Sequence, residues 1–282
     1  MTATWNHFKT AILLGLMFGL IIALGAVIGG PRGVIIAALF GGLGAVISFY
    51  FSDKIAISAM RGQPAEKHAP ELITMVERLA RNANLPMPKV YICPQEAPNA
   101  FATGRNPKNA AVAVTHGALQ LLSFDELEGV IAHELAHIKN RDTLISTIAA
   151  VIAGTLNAAQ WLLIFGGNRQ GVHPIMVLLM IVGAPIAAAL IQMAISRSRE
   201  FIADADAAHI AGTPNGLIGA LRKLDGYAKR VPLQGASETQ SHMFIVQPLS
   251  GGGFSSLFST HPATEKRIQA LEQLRTSDLY AA

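Results

Sequence analysis

A mainly α-helical membrane protein, with four transmembrane helices joined to a polar region that holds a small β-sheet, is the fold class the sequence predicts. Two observations carry this. Of the 282 residues 51% are hydrophobic and 14% are charged, where a soluble domain carries about a quarter charged, so much of the surface is built to avoid water. The acids are also unevenly placed: none falls between Met1 and Ser52, and none between Thr143 and Arg199. Those acid-free blocks coincide with the apolar runs, and basic residues flank them, as at membrane spans. The net charge of +4 therefore argues for lipid rather than nucleic acid. Cys93 is the one cysteine, which excludes a disulfide scaffold.

Taken in order, the runs Thr10–Gly29 and Gly33–Phe51 are each long enough to cross a bilayer core, and Gly30, Pro31 and Arg32 break them into a hairpin. A second hairpin is expected from Thr143–Phe165 and Pro174–Ile195, with Gly166 to Arg169 in its turn. Lys54, Arg61 and Lys67 follow the second span, Lys139 and Arg141 precede the third, and Arg197 and Arg199 follow the fourth. The hairpin turns hold only Arg32 and Arg169. The positive-inside rule then places both termini and the polar regions in the cytoplasm. The expected organisation is an N-terminal transmembrane hairpin over 1–52 and a catalytic domain over 53–282, interrupted by the second hairpin at about 143–195.

Within the polar middle, Glu66–Asn84 carries Leu72, Ile73, Val76, Leu79 and Ala80 at helical spacing, ended by Pro86 and Pro88. Lys89–Cys93 and Ala110–Thr115 read as strands, with Gly104–Asn109 as a turn. A strand edge, to which an extended chain could add through main-chain bonds, is expected at Pro98–Thr103 and Ala110–Thr115. Val231–Thr260 reads as a long loop and Pro262–Arg275 as a closing helix.

The chemistry concentrates at His133, Glu134, Leu135, Ala136 and His137, an H-E-x-x-H pattern. Four residues apart on a helix, two imidazoles share a face and reach one Zn²⁺, with the intervening glutamate beside a zinc-activated water. Ser123 with Glu126 makes a capping-box pattern that starts this helix. A catalytic zinc needs a third protein ligand, and no histidine follows at the spacing of the H-E-x-x-H-x-x-G-x-x-H pattern, so a carboxylate is expected. Glu200 is the candidate. His137 precedes the third span and Glu200 follows the fourth, both roughly 8 to 9 Å beyond the span ends at 1.5 Å per residue. Asp204, one turn further on, is placed to support a ligating imidazole. The alternatives are a solvated Glu200 balancing Arg197 and Arg199, and an Asp204 with no role. Asp206 and His209 fall on other faces.

With these residues in hand, the sequence resembles the HtpX-type integral-membrane zinc metalloproteases, gluzincins related to the prenyl-protein-processing endopeptidases. The resemblance rests on HELAH at 133–137, SRSREFIADADA at 196–207, NAFATG at 99–104 and THP at 260–262. It implies a cytoplasmic gluzincin-like domain in the bacterial inner membrane, binding one Zn²⁺ through His133, His137 and Glu200. It also implies Glu134 as catalytic base, Asp204 as support, and proteolytic quality control of misfolded or damaged membrane proteins under stress. Polypeptides and the lipid bilayer are the expected partners, and Asn99 and His261 the candidate oxyanion donors or substrate contacts. The competing function is a zinc-binding transporter or scaffold; the absence of Asp, Glu, Lys or Arg within the four runs counts against a substrate pathway.

Overall fold

The structure is a computed structural model, and it describes residues 50–143, 199–230 and 262–277 together with scattered positions between 19 and 47. The four apolar runs lie largely outside the described residues. Among those residues no helix is long and apolar enough to cross a membrane. The chain divides into two compact units, Met1–Ser52 with Leu144–Gln192, and Asp53–Thr143 with Met193–Ala282. The second unit carries the described fold.

That unit is mainly helical with one small mixed sheet. Helix α1 (Ser52–Ala59) leads into strand β1 (Gln63–Pro64), then α2 (Pro70–Asn82), β2 (Lys89–Cys93), β3 (Ala100–Gly104), β4 (Ala110–Thr115), α3 (His116–Leu121) and α4 (Phe124–Lys139). Residues 199–211 form helix α5, followed by α6 (Asn215–Arg230) and α7 (Thr264–Ser277). The expected helix over 66–84 is shorter, because Pro70 has no N–H to continue a preceding turn and sits at the first helical position, where that loss is harmless. Asn84 at φ +55° turns the chain out at the other end. Strands β2 and β4 have the expected bounds.

The sheet order is β1-β2-β4-β3, with β2 parallel to β4 and the other two pairs antiparallel. This corrects one expectation: Ala110–Thr115 is an interior strand, buried at every position, and β3 is the edge. A strand with neighbours on both sides and helices over both faces reads as a continuous apolar run. Val90, Ile92, Val112 and Val114 face α2, α4 and α6 in the larger core. Tyr91, Cys93, Phe101, Ala111 and Ala113 face the other way, toward Ile57 and Met60. Cys93 and Phe101 are thus core residues.

Helix α4 is set by two devices. Ser123 and Glu126 make both bonds of the capping box, which satisfies donors that a helix start leaves orphaned. Gly129 and Gly216 then let α4 and α6 touch backbone to backbone: a Cβ on Gly129 would strike Leu217, and one on Gly216 would strike the Asp125 carbonyl. Val130, Ile131 and Leu135 fill the core behind the face that carries His133 and His137.

A candidate metal centre on two helices

His133 and His137 project from α4 with rings edge to face, their centroids 4.6 Å apart. Glu200 enters from α5. His133 Nε2 lies 3.1 Å from His137 Nε2; Glu200 turns Oε2 toward the first at 3.6 Å and Oε1 toward the second at 3.6 Å. Ligand atoms about 2.0 Å from a tetrahedral cation sit about 3.3 Å from one another. The two nitrogens are close to that spacing, and the three side chains together are brought within reach of a single ion.

Both imidazoles are held from behind. His133 Nδ1 is 3.0 Å from Asp204 Oδ1, an approach bent off the ring N–H direction, which leaves an ion-pair contact rather than a linear hydrogen bond. His137 Nδ1 is 3.0 Å from Asp142 Oδ2. Arg267, from α7, donates through Nε and Nη2 to the two oxygens of Asp204 at 2.8 and 2.6 Å, and its Nη1 lies 3.2 Å from Glu200. Arg199 Nη1 is 3.2 Å from Asp142 Oδ1. Glu134 reaches the sheet instead, where its Oε2 accepts a 2.7 Å bond from the Ala102 N–H of β3.

Charge bookkeeping sharpens the picture. Glu134, Glu200, Asp142 and Asp204 are buried, as are Arg199 and Arg267. With the acids ionised and the imidazoles neutral, four negative charges face two positive ones. Buried charge must be compensated, and a divalent cation at the three donors would bring the cluster to neutrality. Burial disfavours a charged His133, yet Asp204 and Glu200 outweigh it and push this imidazole up to about 10. His137 is raised too, against the effect of burial, chiefly by Asp142. Any cation must displace protons from these nitrogens. Burial raises Glu134, with the two imidazoles opposing the shift. Asp204 is held low despite burial, because Arg267 grips it.

Residues 66–275 match the model of peptidase family M48. The chain belongs to that family. This M48 peptidase is a metalloprotease, a hydrolase, and the transporter or scaffold alternative is not favoured. It is 49% identical over 277 residues to the protein named "Protease HtpX homolog" of Burkholderia multivorans, covering 96% of this chain and 97% of that one. The Pyrococcus furiosus protein of the same name is 48% identical, covering 94% and 95%, and that of Aquifex aeolicus 51%, covering 91% and 89%. The HtpX-type resemblance thus extends over nearly the whole M48 chain. Among solved structures, that of S. mikatae Ste24p shares the fold with a TM-score of 0.53 at 19% identity; the match covers 96% of this chain and 66% of Ste24p, just under two thirds of its length.

The structure brings together His133, Glu134, His137, Glu200 and Asp204. Asn99 is buried just before β3, its N–H bonded to Thr115 Oγ1. His261 lies outside the described residues. Three neighbours were not anticipated: Arg267, Asp142 and Arg199. Arg267 had a signal in the sequence, since it shares the i, i+4, i+7 stripe of Leu271 and Leu274 and so lies on the inward face of α7. Arg199 contacts Asp142, and the alternative of a solvated Glu200 is set aside by the burial of that residue.

Proposed function

We propose that this M48 peptidase is a membrane-embedded zinc endopeptidase in which His133, His137 and Glu200 hold one Zn²⁺ and Glu134 is the general base. The observation that carries the reading is the convergence of three donor side chains within reach of one ion, inside a cluster that with neutral imidazoles is two positive charges short of neutrality. Zn²⁺ held there would supply a Lewis acid for the scissile carbonyl and for an attacking water. Glu134 takes the proton of that water and passes it to the departing amine, a cycle suited to a carboxylate whose burial raises its proton affinity. Asp204, fixed by Arg267, presents the His133 ring.

Substrate binding follows from β3. The Ala102 N–H faces away from β4 and toward Glu134, and alternate residues of an antiparallel strand share that direction. A peptide added along this edge through main-chain bonds lies beside the base and is selected weakly by its side chains. Asn99 and His261 are the proposed donors to the developing oxyanion. Misfolded or damaged membrane proteins are the proposed substrates, cut at the cytoplasmic face.

The four apolar runs are proposed as two hairpins, the second inserted within the protease domain between His137 and Glu200, with both termini cytoplasmic in a bacterial plasma membrane. The division that pairs Met1–Ser52 with Leu144–Gln192 supports this organisation. A cysteine placed at Asn168 should react with a charged reagent only from outside the cell; labelling from inside would reverse the topology.

Metal analysis combined with Glu134→Gln tests the chemistry. The variant should keep one zinc per chain and lose cleavage of an unfolded protein in detergent. Unchanged cleavage removes Glu134 as base, and Glu200→Ala protein that retains full zinc removes Glu200 as ligand.

A further inference from the structure

The second half of the metal helix ends in an unusual way. Helix α4 stops at Lys139 with Asn140 as its cap. Arg141 then adopts φ +58°, the left-handed region that non-glycine residues seldom occupy. The chain resumes helix at 142–143. Were α4 to continue unbroken, residue 142 would stand five positions past His137, well round the helix from it. The left-handed step instead folds Asp142 back, so that its Oδ2 meets His137 Nδ1 at 3.0 Å. Thr143 anchors the same turn by donating its hydroxyl to the Gly104 carbonyl at the end of β3. Asp142 is buried and so is its ion partner Arg199, the residue immediately before Glu200. Strained backbone of this kind persists where the surroundings over-determine it, commonly at functional sites.

We propose that Asp142 and Arg199 are a positioning pair for the metal centre: Asp142 holds the proton of His137 on Nδ1 and turns Nε2 toward the cation, while Arg199 fixes Asp142 and so registers α5, with Glu200, against α4. Asp142 thereby does for the second imidazole what Asp204 does for the first. The two supports share a construction, since each carboxylate pairs with a buried arginine from another element: Arg267 for Asp204 and Arg199 for Asp142. A neutral imidazole carries one ring proton, and an acceptor at Nδ1 decides that Nε2 is the ligand. Neither residue touches the substrate on this account; both act through His137 and Glu200.

The inference rests on His133, His137 and Glu200 being the ligands, and the test separates the two claims. Full-length protein in detergent is titrated with Co²⁺ and Zn²⁺ against a chromophoric chelator, and the visible spectrum of the cobalt form is recorded. Failure of the parent protein to bind either ion would sink the ligand reading itself. Given binding, Asp142→Ala should weaken affinity about 10- to 100-fold, the usual loss when such a support is removed, and should alter the cobalt spectrum. Asp142→Asn keeps an acceptor of the same shape and should lose less, which covers the case in which the alanine variant does not fold. Arg199→Met should weaken binding and Arg199→Lys should restore most of it. The double variant Asp142→Ala/Arg199→Met should be no worse than Asp142→Ala alone, because Arg199 acts through Asp142. Parent-like affinity and spectrum in both Asp142→Asn and Arg199→Met, or losses that multiply in the double variant, would overturn the proposal.

Discussion

Replacing Arg267 with methionine tests whether the closing helix belongs to the metal centre or merely covers it. The side chain is 1% exposed, makes two charge-assisted bonds to Asp204 and lies 3.2 Å from Glu200. Methionine fills comparable volume without charge, so the change isolates the electrostatic loss. Breaking a buried pair by removing one partner costs about 3 to 5 kcal/mol, because the other partner is left charged and uncompensated. For a unit of this size that corresponds to a fall in Tm of roughly 6 to 20 °C. Without Arg267 and with neutral imidazoles the cluster carries three excess negative charges, of which a dication cancels two, whereas in metal-free protein the raised His133 imidazole cancels one. The fall should therefore be larger in chelator-treated protein than in zinc-loaded protein. Arg222→Ala supplies the control: its bond to Glu272, a residue of the same helix as Arg267, is exposed on both sides, and such pairs are worth about 0 to 1 kcal/mol. The measurement is thermal unfolding in detergent with and without zinc. If Arg267→Met shifts Tm no more than Arg222→Ala does, the buried guanidinium is not holding the site together.

Metal affinity should rise with pH between 6 and 8 by about tenfold per unit for each proton displaced, since Asp204 and Glu200 hold the His133 proton to about 10 against the effect of burial; a flat profile in chelator competition would contradict this. The same shift gives chelator-treated protein the opposite trend. A raised imidazole stabilises the fold fully below its ordinary value near 6.5 and ceases to do so as pH climbs through about 10, so that form should lose stability toward alkaline pH. Gly129→Ala should cost about 1 to 3 kcal/mol by forcing α4 and α6 apart, read as a lower unfolding midpoint with reduced zinc content. Ser123→Ala removes one half of the capping box and should cost about 1 kcal/mol, seen in the unfolding midpoint with little change in zinc content.

The sequence made the metal helix legible because everything that defines it is local: a cap at Ser123, two imidazoles four apart, and an apolar back of Val130, Ile131 and Leu135. Strands β2 and β4 were legible for a similar reason, being short β-branched runs between breakers. Helix α6 carries its own periodicity in Leu217, Ile218, Leu221 and Leu224, a plain amphipathic stretch with no residue of the site on it. Strand β1, two residues long, has no periodicity to detect. Asp142 could not be found by spacing at all. Its contact with His137 exists because Arg141 leaves the helical region, and no pattern in the flanking residues announces a left-handed arginine. Arg199 was visible as a basic residue near a span end, but its contact with Asp142 depends on the same turn and could not be read from spacing.

The two imidazoles and the carboxylate lie on opposite sides of segment 144–198, and that order has a bearing on synthesis. A growing polypeptide that has left the ribosome only as far as Lys139 already displays both nitrogens and the glutamate between them, yet it cannot close a three-donor cage. Glu200, Asp204 and then Arg267 emerge later, in that sequence. On the proposed ligand set, cutting power would arrive only after the intervening stretch has been made, and a half-translated copy would be unable to attack its neighbours.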